Sequence, residues 1–227
     1  IRFSLIQKGK KAKLQESVRI WLRLKGYICL KKNKEILIAT SNQGKIKEFN
    51  KLFKNHKLYS LKDLHIEDAV EDGSSFFENA LIKAKHGALK SGKYTIADDS
   101  GLVIPKLNYE PGIYSARYAG INASDKDNRN KIINKLYELG LESLEAYYVC
   151  ILVGIKSLDD PMPLITQGEI HGYISVNSSG SGGFGYDKIF YPNDFDCSMA
   201  SIEPDIKNSI SHRAIATAKF LEIFNNY

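Results

Sequence analysis

Residues 36–53 read Ile-Leu-Ile-Ala-Thr-Ser-Asn-Gln-Gly-Lys-Ile-Lys-Glu-Phe-Asn-Lys-Leu-Phe. Ile36 to Ala39 is a short apolar run suited to a buried strand. Thr40-Ser41-Asn42-Gln43-Gly44-Lys45 follows as a polar turn, and Ile46, Phe49, Leu52 and Phe53 then recur at helical spacing. A strand, a polar turn and a helix in that order aim backbone N–H groups and a helix N-terminus at one point, where an anion is stabilised. The turn is not a P-loop, because the leading glycine and the hydroxyl residue after Lys45 are missing. A phosphate cradle and an ordinary strand–helix turn are both open for it.

The alternation of strands and helices continues downstream. An acidic loop, Glu67 to Gly73, precedes a second helix signalled by Phe77, Ala80, Leu81, Ala84 and Ala88, with Asn79 and Lys83 four apart on another face. Residues 94–97 form an apolar strand that delivers Asp98, Asp99, Ser100 and Gly101. A loop marked by Pro111 and Gly120 leads to Ser124-Asp125-Lys126-Asp127, a helix start before Ile132, Ile133 and Leu136. Tyr147 to Ile155 is nearly all apolar, as in a strand covered on both faces, and Leu164 to Val176 reads as another strand or hairpin. Residues 177–187 are rich in Gly and Ser, and 211–224 form a terminal helix. Mixed strands and helices without repeat or interior linker predict one α/β domain over 35–227.

Charge is divided unevenly along the chain. Residues 1–34 hold eleven basic side chains and one acid, a charge of +10, which leaves −4 on the other 193 residues of a chain whose net charge is +6. The basic balance therefore belongs to an N-terminal extension, and a nucleic-acid-coating surface on the main body is not supported. Within the extension, Leu14, Val18, Trp21, Leu22 and Leu24 form a rough helical stripe. It reads as an amphipathic appendage, a targeting segment or a product of how the chain is delimited. No run approaches 18 apolar residues, so no membrane partner is expected. Cys29, Cys150 and Cys197 are widely spaced and form no C-x-x-C pair, which argues against a disulfide framework or zinc site and fits a reducing cytoplasm.

Four features could carry chemistry. Adjacent carboxylates at Asp98 and Asp99 need a cation beside them, so the stretch is either a turn, which Asp, Ser and Gly all favour, or a site for a divalent metal or proton transfer. The glycine loop ends in Phe184-Gly185-Tyr186-Asp187, where glycines permit close approach and aromatics can stack on a planar base. Lys207 and Ser211-His212-Arg213 set cations where a helix N-terminus disfavours them, which suggests a bridging anion or a planar ligand edge. The acidic loop permits one more metal ligand. Together these supply the inventory for a nucleoside triphosphate with Mg²⁺.

The motifs Thr40-Ser41-Asn42-Gln43-Gly44-Lys45, Phe76-Phe77-Glu78-Asn79-Ala80 with Lys83-Ala84, Ala97-Asp98-Asp99-Ser100-Gly101-Leu102, Pro111 to Arg117, Gly183 to Asp187 and Ser211-His212-Arg213 occur in this order. In this the chain resembles the inosine triphosphate pyrophosphatase family, the XTP/dITP diphosphatases, from residue 35 to about 224. The resemblance implies a mixed, twisted sheet with flanking helices and two lobes around a long cleft, usually in a homodimer. It implies Mg²⁺-dependent hydrolysis of ITP, dITP and XTP to the monophosphate and pyrophosphate. Carried over by position, Thr40, Ser41, Asn42, Gln43, Gly44 and Lys45 would bind the triphosphate. Asp99 would hold Mg²⁺ and act as catalytic carboxylate, with Glu71 as the metal ligand from the first lobe and Asp98 steadying the metal site. Ser100, Phe184, Gly185, Tyr186, Asp187, Lys207, His212 and Arg213 would grip the substrate. Lys188 after Phe-Gly-Tyr-Asp and Asn108-Tyr109 before Pro111 depart from the family's pattern of proline and Gly-Gly.

A donor at His212-Arg213, or a backbone N–H of the 183–187 loop, would favour a 6-oxo purine over a 6-amino one, because two facing donors leave one unpaired. A rival reading, a non-catalytic nucleotide-binding module of the same fold, would keep the turn and the glycine loop without needing both aspartates. A second rival is an RNA- or membrane-associating protein driven by the basic extension.

Overall fold

The structure, a computed structural model, describes residues 34–225; all but Lys34 of the basic extension lies outside the described residues. Among the described residues, five α-helices, α1 (Gln43–Leu52), α2 (Phe76–Ser91), α3 (Asp125–Glu138), α4 (Pro204–Ile210) and α5 (His212–Phe224), surround six strands. The strands are β1 (Glu35–Ile38), β2 (Lys57–Ser60), β3 (Tyr94–Val103), β4 (Ser143–Ile155), β5 (Leu164–Ser175) and β6 (Phe190–Pro192). They form one mixed sheet in the order β2-β1-β3-β4-β5-β6. β1 runs parallel to β2 and β3, whereas β4, β5 and β6 each run antiparallel to the strand before.

Side-chain alternation along the strands sorts the core into layers. Ile36 and Ile38 of β1 point toward Phe49 and Phe53 of the α1 segment and Phe220 and Phe224 of α5. Leu37 and Ala39 point the other way, onto Ala80, Ala84 and Ala88 of α2. A third cluster joins Leu102 and Ile104 beyond the middle of β3 to Ile132 and Leu136 of α3, Tyr148 of β4 and Phe190 of β6. It makes the second lobe, and the cleft lies between this lobe and the first.

Local chemistry starts each of the longer helices. Asn42 caps α1 by accepting from the Lys45 N–H at 3.1 Å, and Ser75 does the same for α2. Ser124 and Asp127 form a reciprocal capping box at the start of α3, where the sequence predicts a helix. Ser211 accepts from the Ala214 N–H and opens α5.

The strand predicted over 94–97 does not stop at the aspartates. β3 continues to Val103, pairing Asp98 with Leu152 and Asp99 with Ile151 of β4. The turn preference of Asp-Asp-Ser-Gly is overridden because β4 offers a continuous ladder and each carboxylate finds a cation. β2 and β6 carry no sequence expectation; at four and three residues they are too short to show a period.

Candidate active site

The pairing of β1 with β3 ends at Ile38 and Ile96. Beyond it β3 runs on alone on that side and borders a cleft of about 320 Å³. The Thr40–Lys45 turn, the α1 start, the 113–117 turn, the 184–187 loop and the first turn of α5 close around it.

Asp98 and Asp99 lie on opposite faces of the sheet, as adjacent residues of a strand must. On the α5 side, Asp98 Oδ2 receives Lys45 Nζ at 2.9 Å, Arg213 Nη2 at 3.2 Å and the Ser100 hydroxyl at 3.0 Å. Burial opposes its ionisation, but Lys45 and then Arg213 prevail and hold the carboxyl far below the ordinary range. Arg213, 1% exposed, also donates through Nη2 to Ser100 Oγ at 2.8 Å and through Nη1 to Glu48. Glu48 in turn meets Lys207 Nζ at 3.3 Å, and Lys207 meets Asp187 Oδ2 at 2.8 Å. The result is a buried chain of alternating charge from Lys45 to Asp187.

On the α2 side, Asp99 receives Lys83 Nζ on Oδ1 at 3.1 Å and Asn79 Nδ2 on Oδ2 at 3.4 Å. Lys83 Nζ also lies 3.0 Å from Glu71 Oε1, so one ammonium gathers both proposed metal-binding carboxylates. Arg117 Nη1 stands 3.9 Å from Glu71 Oε2. Here burial wins, and the Asp99 carboxyl is raised against the pull of Lys83 and Lys45, with Glu71 adding to the rise.

At the other end, Asp187 is buried and accepts the Phe184 N–H at 2.9 Å; burial raises its carboxyl, against the pull of Lys207. The Lys207 ammonium rides 4.9 Å from the centre of the Phe184 ring. Tyr186 donates to Ser115 O at 2.7 Å, which ties the glycine loop to the 112–117 turn. Gly185 borders the cleft through its backbone.

One expectation needs correction. Burial, and then Arg213, push His212 well below its ordinary range, so it is a neutral ring stacked on Tyr148 at 4.7 Å and not a cation for phosphate. The Arg213 guanidinium is engaged by Asp98, Glu48 and Ser100. Both residues still line the cleft. In the 40–45 turn, Thr40, Ser41, Asn42 and Lys45 face the cleft, while Gln43 bonds back to Ser41 O and Gly44 backs onto the Phe184 ring. Thr40 Oγ1 accepts the Asn42 N–H, and Ser41 donates to Asp68 at 2.5 Å.

The structure adds Glu48, Asp68, Lys83 and Tyr148 to the cleft lining. Glu48 was legible as the residue three after Lys45, on the same helix face, and Lys83 as the partner of Asn79 in spacing; neither signal alone points to a site. Among the described residues no group of three or more His, Cys, Asp or Glu side chains converges as a metal cage. Asp99 and Glu71 are two hard oxygen donors, the number Mg²⁺ takes from protein when substrate phosphates complete its shell. The residues therefore fit that ion.

The family model described as "Ham1 family" matches residues 36–223. The chain belongs to the Ham1 family. It is 50% identical over 183 residues to a Legionella pneumophila protein named dITP/XTP pyrophosphatase, covering 81% of this chain and 94% of that one. A Vibrio cholerae protein of the same name is 42% identical over 191 residues, covering 83% and 96%. Among solved structures, a HAM1 protein from Coxiella burnetii superposes with a TM-score of 0.79 at 36% identity, covering 86% of this chain and 100% of that chain. The Staphylococcus aureus Ham1 protein gives 0.73 at 40% identity, covering 85% and 99%. The α/β fold, with its mixed sheet, is thus that of the Ham1 relatives.

Proposed function

We propose that this Ham1 family member binds ITP, dITP or XTP in the cleft and hydrolyses the bond between the α- and β-phosphoryl groups, releasing the nucleoside monophosphate and pyrophosphate. The chain is a nucleoside triphosphate pyrophosphatase, and its substrate is a purine nucleoside triphosphate. The observation that carries the finer reading is Asp99: a buried carboxylate raised by its surroundings, between Lys83 and the cleft, with Lys45 close enough to act on it.

Lys45, Lys83 and the N-terminus of α1 set positive potential at one end of the cleft, where a triphosphate is stabilised. Asp99 and Glu71 would hold Mg²⁺, which when bound neutralises charge on the phosphoryl oxygens and helps the pyrophosphate leave. Among the described residues, Asp99 Oδ2 has only the long Asn79 contact, which leaves it able to orient a water or take its proton. The water oxygen forms a bond to the α-phosphorus, the bridging P–O bond to pyrophosphate breaks, and the proton passes by Asp99 to solvent. Asp98, whose Oδ2 is engaged by Lys45 and Arg213, keeps both cations in place. At the far end, Phe184 offers a ring face and Lys207 a donor to the base.

Catalysis is assigned to residues 35–227, in the cytoplasm. The proposal includes a homodimer. No helix among the described residues is long and apolar enough to cross a membrane.

The test is a panel of ITP, dITP, XTP, GTP, ATP and dUTP with Mg²⁺, following pyrophosphate and orthophosphate separately. Pyrophosphate from the first three, with little turnover of the others, is expected. Orthophosphate as the primary product would replace this reading with a γ-phosphatase.

A further inference from the structure

Asp125 and Arg129 lie four residues apart on α3 and close on the two backbone groups of one residue across the second lobe. The Gly185 N–H donates to Asp125 Oδ2 at 2.7 Å, and Arg129 Nη1 donates to Gly185 O at 2.6 Å. Both bonds have a charged partner, the stronger kind. Gly185 sits in the left-handed region at φ 58° with open space where a Cβ would be, so its backbone conformation, not crowding, calls for glycine. On either side of it stand Phe184, whose N–H is held by Asp187, and Tyr186, whose hydroxyl is held by Ser115 O.

The same helix face grips the neighbouring loop. Asn128 is 2% exposed; its Oδ1 accepts the Ala119 N–H at 2.7 Å and its Nδ2 donates to Ala116 O at 3.2 Å. Side chains at i, i+3 and i+4 of one helix thus hold both loops that line this side of the cleft. The phosphate end is built by other elements: Lys45 from α1, Asp99 from β3 and Lys83 from α2.

We infer that Asp125 and Arg129 are positioning residues that fix the Phe184–Asp187 loop against α3 and so set affinity for the purine, leaving the hold on the triphosphate untouched. This rests on reading the cleft as a purine nucleoside triphosphate site. Neither residue belongs to the motifs that carry the family resemblance, and neither is asked to touch the reacting atoms.

The experiment compares ITP with inorganic tripolyphosphate, a competitor that has no base, on the full chain. Arg129→Ala is expected to raise KM for ITP by about tenfold, the scale of one charge-assisted hydrogen bond, while kcat falls by less than about twofold. The inhibition constant of tripolyphosphate should stay within about twofold of wild type, since Lys45, Asp99 and Lys83 stand on other elements and the loop reaches the 40–45 turn through the Phe184 ring against Gly44. Arg129→Lys, which keeps the charge and one donor, should recover part of the KM. Asp125→Ala with Arg129→Ala should cost less than the two single effects combined, because both hold one residue. A parallel loss of tripolyphosphate binding, or an unchanged KM for ITP, overturns the inference. If the wild-type chain does not hydrolyse ITP, the pyrophosphatase reading fails separately. The same variants are then compared by calorimetry on the dissociation constants of ITP and tripolyphosphate. An unchanged ITP constant, or a parallel loss of both ligands, overturns the inference there too.

Discussion

The two faces of β3 at the cleft carry the same chemical group and treat it in opposite ways. Asp98 faces α5 and meets Lys45, Arg213 and Ser100, and its ionised form is strongly favoured. Asp99 faces α2, meets Lys83 and a distant Asn79 amide, and is raised by burial that its partners do not offset. One residue of separation along a strand is enough to divide a carboxylate held ionised by its partners from one raised by burial. The lesson is that a doublet of carboxylates in a strand is not a like-charge pair; the pleat gives each its own surroundings.

The largest effect expected from this comparison is on stability. Asp98→Ala removes the partner of a buried guanidinium, and breaking a buried ion pair in this way costs about 3–5 kcal/mol. Glu48 remains on Arg213 and sets the loss toward the lower end. Chemical denaturation of the variant checks it, and a loss under about 1 kcal/mol would mean that Lys45 and Arg213 find water instead. The adjacent change, Asp99→Asn, should leave the protein folded and lower kcat by about 10²–10³, the usual effect of removing one preorganised electrostatic group. Turnover of ITP near the wild-type rate would remove Asp99 from the chemistry.

Much of the fold around this division was legible in the chain. The run from Ile36 to Phe53 announced strand, turn and helix through period alone, and α2, α3 and α5 fall where the apolar spacing, the Ser124 start and the 211–224 segment place them. The Asp98-Asp99 stretch was not legible as strand, since its residues favour turns and only pairing with β4 and three cations reverse that. Long-range charge pairing also hid the state of the His212-Arg213 start of α5. Nothing within the helix reports that Asp98 and Glu48, over a hundred positions away, would bury and neutralise Arg213. Edge strands of three or four residues, such as β2 and β6, leave no period to read.

A smaller effect should come from crowding the Asp99 face. Gly101 lies two residues beyond Asp99 on the same side of β3, and a Cβ there would stand 2.5 Å from Gly112 O and 2.5 Å from Ser115 Oγ. That hydroxyl receives the Leu102 N–H at 3.0 Å and donates to Gly112 O at 2.6 Å, so it cannot swing aside without losing both. Gly101→Ala should cost about 1–3 kcal/mol, as overpacking does, and should raise KM because the 112–117 turn lines the cleft. On the opposite face, Ser100→Ala removes a hydroxyl and adds no bulk, so a thermal scan of both variants tells packing from hydrogen bonding.

The smallest and most discriminating effect is the pH dependence of stability. Asp98 is depressed in the folded state, so its contribution is fully present above the ordinary carboxyl value of 3.8 and is lost as pH falls from there toward its folded value. Asp99 is raised from the same 3.8, so the folded protein binds its proton more readily than the unfolded chain does. Its ionisation therefore lowers stability above its folded value, and acidification from neutral pH toward 3.8 relieves that loss. The two residues act in opposite directions and in successive windows. Asp99→Asn should flatten the curve between neutral pH and about 4 while leaving the acid limb, and Asp98→Asn should flatten the limb below about 4. Denaturation midpoints of the two variants across about pH 2–7 measure this, and curves that change in the same window would show that the sheet does not separate the pair.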